Sequence, residues 1–442
     1  MMINELGKFV AQTRYEDLPS TVVELAKTRI LDLLSAGLAG YRLGLYRALF
    51  EILGGKGEAT VWGAGVKYPL RDAALLNSFM AHSTYMEDGS RYTGGHPSST
   101  VIPAAFALGE TRRSSGKEII LSVVAGYDVF LRLGKAVYPS TTVRGFQSTA
   151  VVGALGSAAA CASLLRLDPE QSKNALAIAS NLGVGLKEAL KTPDSQPLQV
   201  GRSSEGGILA ALFAEKGVNG SDDILENGFL KAFADEPKDG EIVSDLGKKY
   251  LIEETYIKVH GGCRGNHAPT DVILSLVRDH QIPADEIREI RVKVDSVTMI
   301  AEIHHPMNGK QAQFSIPFSI AVAILDGNVS LHQFSDEKVN DRRVHELMDR
   351  VSVEVDKSFD KDYPHKRGSH GEIVLKDGRR LSSSIDIARG EPESPLAFEE
   401  IKEKFVLLTH DVLGKRAKRV CEMVMALENL EEVNGLIKKL KA

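Results

Sequence analysis

Apolar positions along this chain recur with two different periods, and the change of period divides it. In the first part they return every three or four residues, which is the spacing of one helix face. Val23, Ile30 and Leu34 begin the series, and Thr21 and Glu24 have the spacing of a capping box that opens a helix. Further helices are predicted over 73–85, 101–110, 117–133, 149–165, 170–182 and 205–216. Small residues are common in them, which suits close helix–helix contact.

Beyond about Lys258 the pattern changes. Ile290, Val292 and Val294 alternate with Arg291, Lys293 and Asp295, and Val351, Val353 and Val355 alternate in the same way. A period of two marks half-buried strands. Segments 372–376 and 379–387 flank Asp377-Gly378, a tight-hairpin signal. Helical stretches at 267–279, 314–326 and 336–348 lie between the strands. Residues 390–395 read as a linker, and helices resume from Phe398 with basic faces that read as solvated surface. The expected fold class is mainly α: a large all-α helical domain (1–265 plus 392–442) and a smaller α+β domain (266–391). A length of 442 residues agrees with more than one core.

Composition narrows the function classes. Hydrophobic residues make up 43% and charged residues 26%, the balance of a packed protein. A net charge of −5 makes nucleic acid an unexpected partner. Cys161, Cys263 and Cys421 form no disulfide or metal-knuckle spacing, so a reducing, cytoplasmic setting is expected. Residues 1–15 show no apolar signal core. Segment 145–165 carries no charge and is long enough to span a bilayer. It consists mostly of Ala, Gly, Ser and Thr, however, and predicts a buried helix, not a membrane partner.

Two polar clusters carry candidate chemistry. The first runs from His82 to Pro97, between two predicted helices. Asp88 and His96 fit a general acid/base pair. They equally fit a polar connector in which Asp88 orients backbone amides. His82, Glu87, Asp88 and His96 match no established ligand spacing, so no metal is expected. The second cluster holds Lys258, Gly261-Gly262-Cys263-Arg264-Gly265 and His267. It admits three readings. One is a nucleophile elbow, with a strand-like Tyr256 to Val259 leading to Cys263 as nucleophile and His267 as base, which requires a parallel sheet beneath it where the preceding residues read as helical. The second is a glycine-rich domain junction with a capping His. The third is an anion site in which Lys258 and Arg264 hold carboxylates and His267 moves a proton. Gly54-Gly55-Lys56-Gly57 lacks phosphate-loop spacing, and no dinucleotide fingerprint follows a strand, so no cofactor is expected. His304-His305 has no partner spacing.

Five segments, in order, resemble the MmgE/PrpD family across nearly the whole chain. They are His82 with Glu87-Asp88-Gly89-Ser90-Arg91-Tyr92 and Gly95-His96-Pro97; Arg144-Gly145-Phe146-Gln147-Ser148-Thr149; Lys258, Cys263-Arg264, His267 and Asp271; Ala312 to Phe318; and Arg389-Gly390 with Pro395-Leu396. The resemblance implies a helical body built from both chain ends, an α+β lid, a homodimer and no cofactor. It also implies a small polycarboxylate substrate and removal of a proton beside a carboxylate, with loss of water, loss of CO2 or inversion at carbon. By resemblance, Asp88, His96, Lys258 and His267 are catalytic. Tyr85, Arg91, Gln147, Gln196, Arg202 and Arg264 are substrate-binding.

Four positions depart from the family pattern. Tyr85 stands where Asp is frequent, Gln147 where His is usual, and Gln196 where Lys is common. Phe318 falls near a position that is Tyr in the decarboxylase branch. A Gln exchanges no proton near neutral pH. The expectation is poor turnover of cis-aconitate and 2-methylcitrate, and better binding of dicarboxylates with an amino, imino or hydroxy group, unless Lys187 or Lys191 reaches the place of Gln196. Two competing readings are a catalytically altered relative that binds a carboxylate or a partner, and a thiol hydrolase.

Overall fold

Small residues decide how the helices of the first unit pack. The helix Ser148–Leu164 is buried almost throughout and lies against Pro97–Arg112, Gly116–Val137 and Gln196–Glu215. Backbones come that close only where side chains are missing. A Cβ on Gly207 would overlap Ser157, and one on Gly156 would lie 3.0 Å from the Gly126 carbonyl. The uncharged run at 145–165 is therefore an interior helix. Among the described residues no helix is long and apolar enough to cross a membrane.

The computed structural model describes every residue except 45 and 192–194, with residue 191 described by its backbone alone. Its contacts divide the chain into two units, Met1–Thr255 with Ala397–Ala442, and Tyr256–Leu396. Residues 256–265, counted above with the helical part, pack within the second unit. Ile257 N–H donates to Gly390 O (3.0 Å) and Gly261 N–H to Val329 O (2.9 Å). Gly390 has φ +91°, and a Cβ there would overlap Ile257 O.

The first unit is helical, and the C-terminal helix Phe398–Leu413 packs on Ser20–Leu43 from the other end of the chain. It contains one sheet element as well, the antiparallel pair β1 (Ala59–Thr60) and β2 (Lys67–Tyr68). Glu110 fixes β1 by accepting from Thr60 N (2.6 Å) and Thr60 Oγ1 (2.7 Å). Three local expectations change. The helix predicted to open with a box at Thr21 starts at Ser20 behind Pro19 without a side-chain cap, and Glu24 pairs with Lys27 instead. The helix Leu70–His82 ends three residues before Tyr85, which has φ +52° in the turn that follows. The helix predicted from 205 begins at Gln196.

The second unit has a four-stranded sheet in the order β4-β3-β5-β6: β3 Ile287–Val294, β4 Val351–Val355, β5 Ser369–Leu375 and β6 Arg380–Ile385. β3 and β4 are parallel, and the other pairs are antiparallel. Gly378 (φ +93°) turns β5 into β6, and Asp377 accepts from Arg379 N at 2.9 Å. The helices His267–Asp279 and Ile316–Asp326 cover the apolar face. Val272, Ile273, Ile290, Val292, Ile320 and Ile373 form its core. The helix expected over 336–348 breaks into Asp336–Val339 and Arg342–Met348, because Asp341 caps the second piece.

Candidate functional site

The first cluster is assembled by the loop after Leu70–His82 and the start of Pro97–Arg112. His96 is the N-cap residue of the latter helix. Its backbone N–H donates to Thr149 Oγ1 (3.0 Å), and its ring Nδ1 lies 2.6 Å from Asp88 O. A carbonyl only accepts, so Nδ1 carries a hydrogen, and in the neutral ring Nε2 carries the lone pair. This places an oriented base on a side chain that is 17% exposed, within reach of a small molecule.

The carboxylate of Asp88 faces away from that ring. It accepts from Tyr127 OH (2.8 Å) and Ser98 N (3.3 Å), with Arg29 Nε at 3.8 Å. Full burial pushes its pKa up to about 6, and Arg29 offsets only part of this. Asp88 thus anchors the loop and positions His96 through its backbone. Among the described residues, Glu87 Oε1 lies 3.7 Å from His96 Nδ1 and 2.7 Å from His82 Nδ1. Glu87, rather than Asp88, is thus the carboxylate whose oxygen lies beside the His96 ring.

The substrate-binding expectations divide. Tyr85 OH donates to Gln196 Oε1 (2.9 Å), and Gln196 Nε2 meets His82 Nε2 at 2.8 Å. Gln196 is fully buried, and both ends of its amide make hydrogen bonds inside the protein. The departures at 85 and 196 are one contact rather than two independent losses. Gln147 caps Ser148–Leu164, accepting from Ala150 N at 2.6 Å. Its oxygen is committed to a helix end. Arg91 is buried, with its guanidinium carbon 5.0 Å from the ring of Tyr92 and Nη2 donating to the Tyr92 hydroxyl at 3.0 Å. Arg202 is 62% exposed and pairs with Glu205 on its own helix, outside this group. The side chain of Lys191 lies outside the described residues, and Lys187 N–H donates to Gly145 O.

Sequence reasoning missed the support beneath the cluster. Arg29 donates to Thr255 Oγ1 and Thr255 O (both 2.8 Å), and Lys404 holds Asp32 Oδ1 (2.5 Å) and Met86 O (2.7 Å). Burial raises the Asp32 pKa despite Lys404. A signal existed: Arg29 and Asp32 interrupt the apolar run Ile30, Leu31, Leu33, Leu34.

The second cluster belongs to the second unit. Lys258 and His267 are buried, and His267 opens the helix His267–Asp279. Gly262 has φ +89°, with Gln313 O 2.5 Å from where a Cβ would sit, and Cys263 N–H donates to the same carbonyl at 2.7 Å. Arg264 reaches Glu391 through Nε (2.9 Å) and Nη2, and lies 4.9 Å over the Tyr256 ring. An internal carboxylate therefore occupies the cation that was expected to hold substrate. Burial pushes the Tyr256 hydroxyl well above its ordinary range. His260, missed in the sequence, bonds Asp271 Oδ1 through Nε2 (2.7 Å), while Arg389 N–H donates to Asp271 Oδ2 (3.0 Å). The rings of His260 and His267 are 5.3 Å apart. No strand leads into Cys263, so the elbow lacks its foundation. Among the described residues no group of three or more His, Cys, Asp or Glu side chains is arranged to hold a metal ion.

Comparisons with known proteins cover both units. The MmgE/PrpD N-terminal domain matches residues 4–241, and the MmgE/PrpD C-terminal domain matches 260–429. A cis-aconitate decarboxylase of Aspergillus terreus is 28% identical over 468 residues, spanning 99% of this chain and 95% of that protein. The human cis-aconitate decarboxylase is 28% identical, over 96% of this chain and 91% of its own. The 2-methylcitrate dehydratase of Escherichia coli is 21% identical, over 84% of this chain and 82% of its own.

Proposed function

Because this chain belongs to the MmgE/PrpD family, we propose that it is a lyase of the dehydratase or decarboxylase type. Its substrate is a small di- or tricarboxylate: in dehydration the carbon beside a carboxylate gives up a proton and the hydroxyl leaves as water, and in decarboxylation CO2 leaves and the carbanion takes up a proton. The observation that carries the reading is the orientation of His96. With Nδ1–H turned toward Asp88 O, the neutral ring presents Nε2 as the nitrogen able to accept a proton. The pair electrons left on carbon form an enolate-like anion, which requires cationic groups on the carboxylate to bear its charge. The family resemblance assigns that work to Lys258 and a proton-transfer role to His267. Support also comes from the names of the relatives, both of which are lyases of carboxylates.

The neutral pair Tyr85–Gln196 weakens the earlier argument against tricarboxylates, since Gln196 is committed inside the protein. The substitution at Gln147 still removes a proton-carrying group. The test is a melting-point screen against di- and tricarboxylates, including cis-aconitate, 2-methylcitrate and hydroxy- and amino-substituted dicarboxylates. A ligand that binds only the folded state raises the melting point. The reading expects a rise with at least one carboxylate and none with its diamide, and no rise with any carboxylate would overturn it.

A further inference from the structure

The hydrogen bonds running from Tyr85 to Glu87 have a direction, and the direction sets a charge. An ionised carboxylate only accepts, so His82 Nδ1, 2.7 Å from Glu87 Oε1, carries a hydrogen. Gln196 presents its amide nitrogen to His82 Nε2 at 2.8 Å. Two N–H groups cannot face each other at that distance, so Nε2 is the acceptor and His82 is neutral. The amide oxygen of Gln196 then accepts from Tyr85 OH at 2.9 Å. Each link fits the next in one polarity.

The surroundings hold that polarity. Tyr85, His82, Glu87 and Gln196 are at most 4% exposed, so solvent does not exchange with the links. Low polarity around such a chain makes an unmatched donor or acceptor costly. Tyr85 adopts φ +52°, rare for an aromatic residue, in the turn that brings its hydroxyl to Gln196. Among the described residues of this unit, the charged and titratable groups around His96 include Glu87 and, behind it, Asp88, Arg29, Tyr127, Asp32 and Lys404, with the His82 ring centroid at 5.4 Å.

We propose that Tyr85 and Gln196 are positioning residues that hold His82 as the neutral Nδ1–H tautomer, so that Glu87 keeps its full negative charge for His96. The proposal rests on His96 being the base of the reaction. An anion beside His96 Nδ1–H favours the imidazolium that forms when Nε2 takes a proton. An imidazolium at His82 would instead neutralise Glu87 and leave His96 a weaker base. The two residues act through His82 and touch no reacting atom.

The test reads the ring nitrogens of ligand-free protein labelled with 15N-histidine, with His82 assigned by loss of its signals in H82Q. Wild type is expected to show a protonated Nδ1 and an unprotonated Nε2 from about pH 6 to 8, the range in which an ordinary His changes charge. In Q196E the introduced carboxylate accepts at Nε2, and both His82 nitrogens become protonated. The acid limb of kcat/KM should then move down by about one pH unit, because a weaker His96 base loses its proton earlier. A merely structural role would lower the plateau and leave the limb in place. A wild-type His82 that is doubly protonated, or protonated at Nε2 alone, overturns the proposal, and so does a folded Q196E with unchanged His82 signals. Should Q196E fail to fold, the wild-type spectrum still decides. Absence of turnover on every carboxylate would count against the His96 reading alone, since the ring spectra need no substrate.

Discussion

Replacing Asp88 by Asn tests whether burial, rather than Arg29, governs this carboxyl. The native pKa stands at about 6 against an ordinary 3.8. A raised native pKa means that the folded state binds the proton more tightly than the unfolded chain. The associated stability is present in full below about pH 4 and is lost as the pH rises through about 6. A difference of about two units corresponds to about 3 kcal/mol. The direction follows from geometry. Both carboxylate oxygens are buried, and among the described residues the cation beside them, Arg29, lies 3.8 Å away while donating to Thr255. In D88N the amide oxygen can still accept from Ser98 N and the NH2 can donate to the Tyr127 oxygen, so the shape of the site is retained. The assay is urea unfolding of both proteins from about pH 4 to 7.5. The stability of D88N relative to wild type should rise by about 3 kcal/mol across that range and level off above about pH 6.5. Asp128, whose pKa burial also raises to about 6, is present in both proteins and cancels in the difference. A difference independent of pH would refute the reasoning. A difference of opposite slope would show that Arg29 outweighs desolvation.

Three further outcomes are expected. His96→Asn should lower kcat by at least about 100-fold while the melting point changes little, since general-base groups contribute about that much; steady-state rates on the best carboxylate of the screen would check this. Glu391→Ala strands the buried guanidinium of Arg264 and should cost about 3–5 kcal/mol, whereas Arg264→Ala and Glu391→Ala together should cost less than the sum; a double-mutant cycle by urea unfolding measures it. Cys263→Ser should retain most of the activity, because no strand supports a nucleophile there; loss of turnover together with rapid alkylation of wild-type Cys263 would restore the thiol reading.

The parts of the fold that were legible in the sequence are those in which one period dominates. The alternation from Ile290 to Val294 and the Asp377-Gly378 turn mark strands correctly, because a half-buried strand exposes every second side chain. Capping was less legible at Thr21, where the N-cap is Pro19, two residues earlier, and the Thr–Glu spacing does no capping work. Candidate residues could be named from the sequence, but their contacts could not. His96 was found by its neighbours in the chain, yet the partner of its ring is a backbone carbonyl, which no side-chain pattern reveals. Gln196 and Tyr85 are 111 positions apart, and nothing local ties the amide of one to the hydroxyl of the other. Arg264 was read as an open cation because Glu391 lies 127 positions away, beyond the reach of local pattern. Arg29 and Asp32 were overlooked on an apolar helix face, where a charge signals a buried partner rather than solvent.

Proton removal by His96 is most directly measured by solvent exchange at carbon. Each carboxylate that raises the melting point is incubated with wild type and with His96→Asn in D2O, and its C–H signals are followed by NMR. The account predicts deuterium at the carbon beside a carboxylate, in substrate or product, with wild type, and exchange or turnover reduced at least about 100-fold in the variant. Equal exchange by both proteins, or a dehydration product formed by wild type with the C–H bond beside the carboxylate intact, would contradict it.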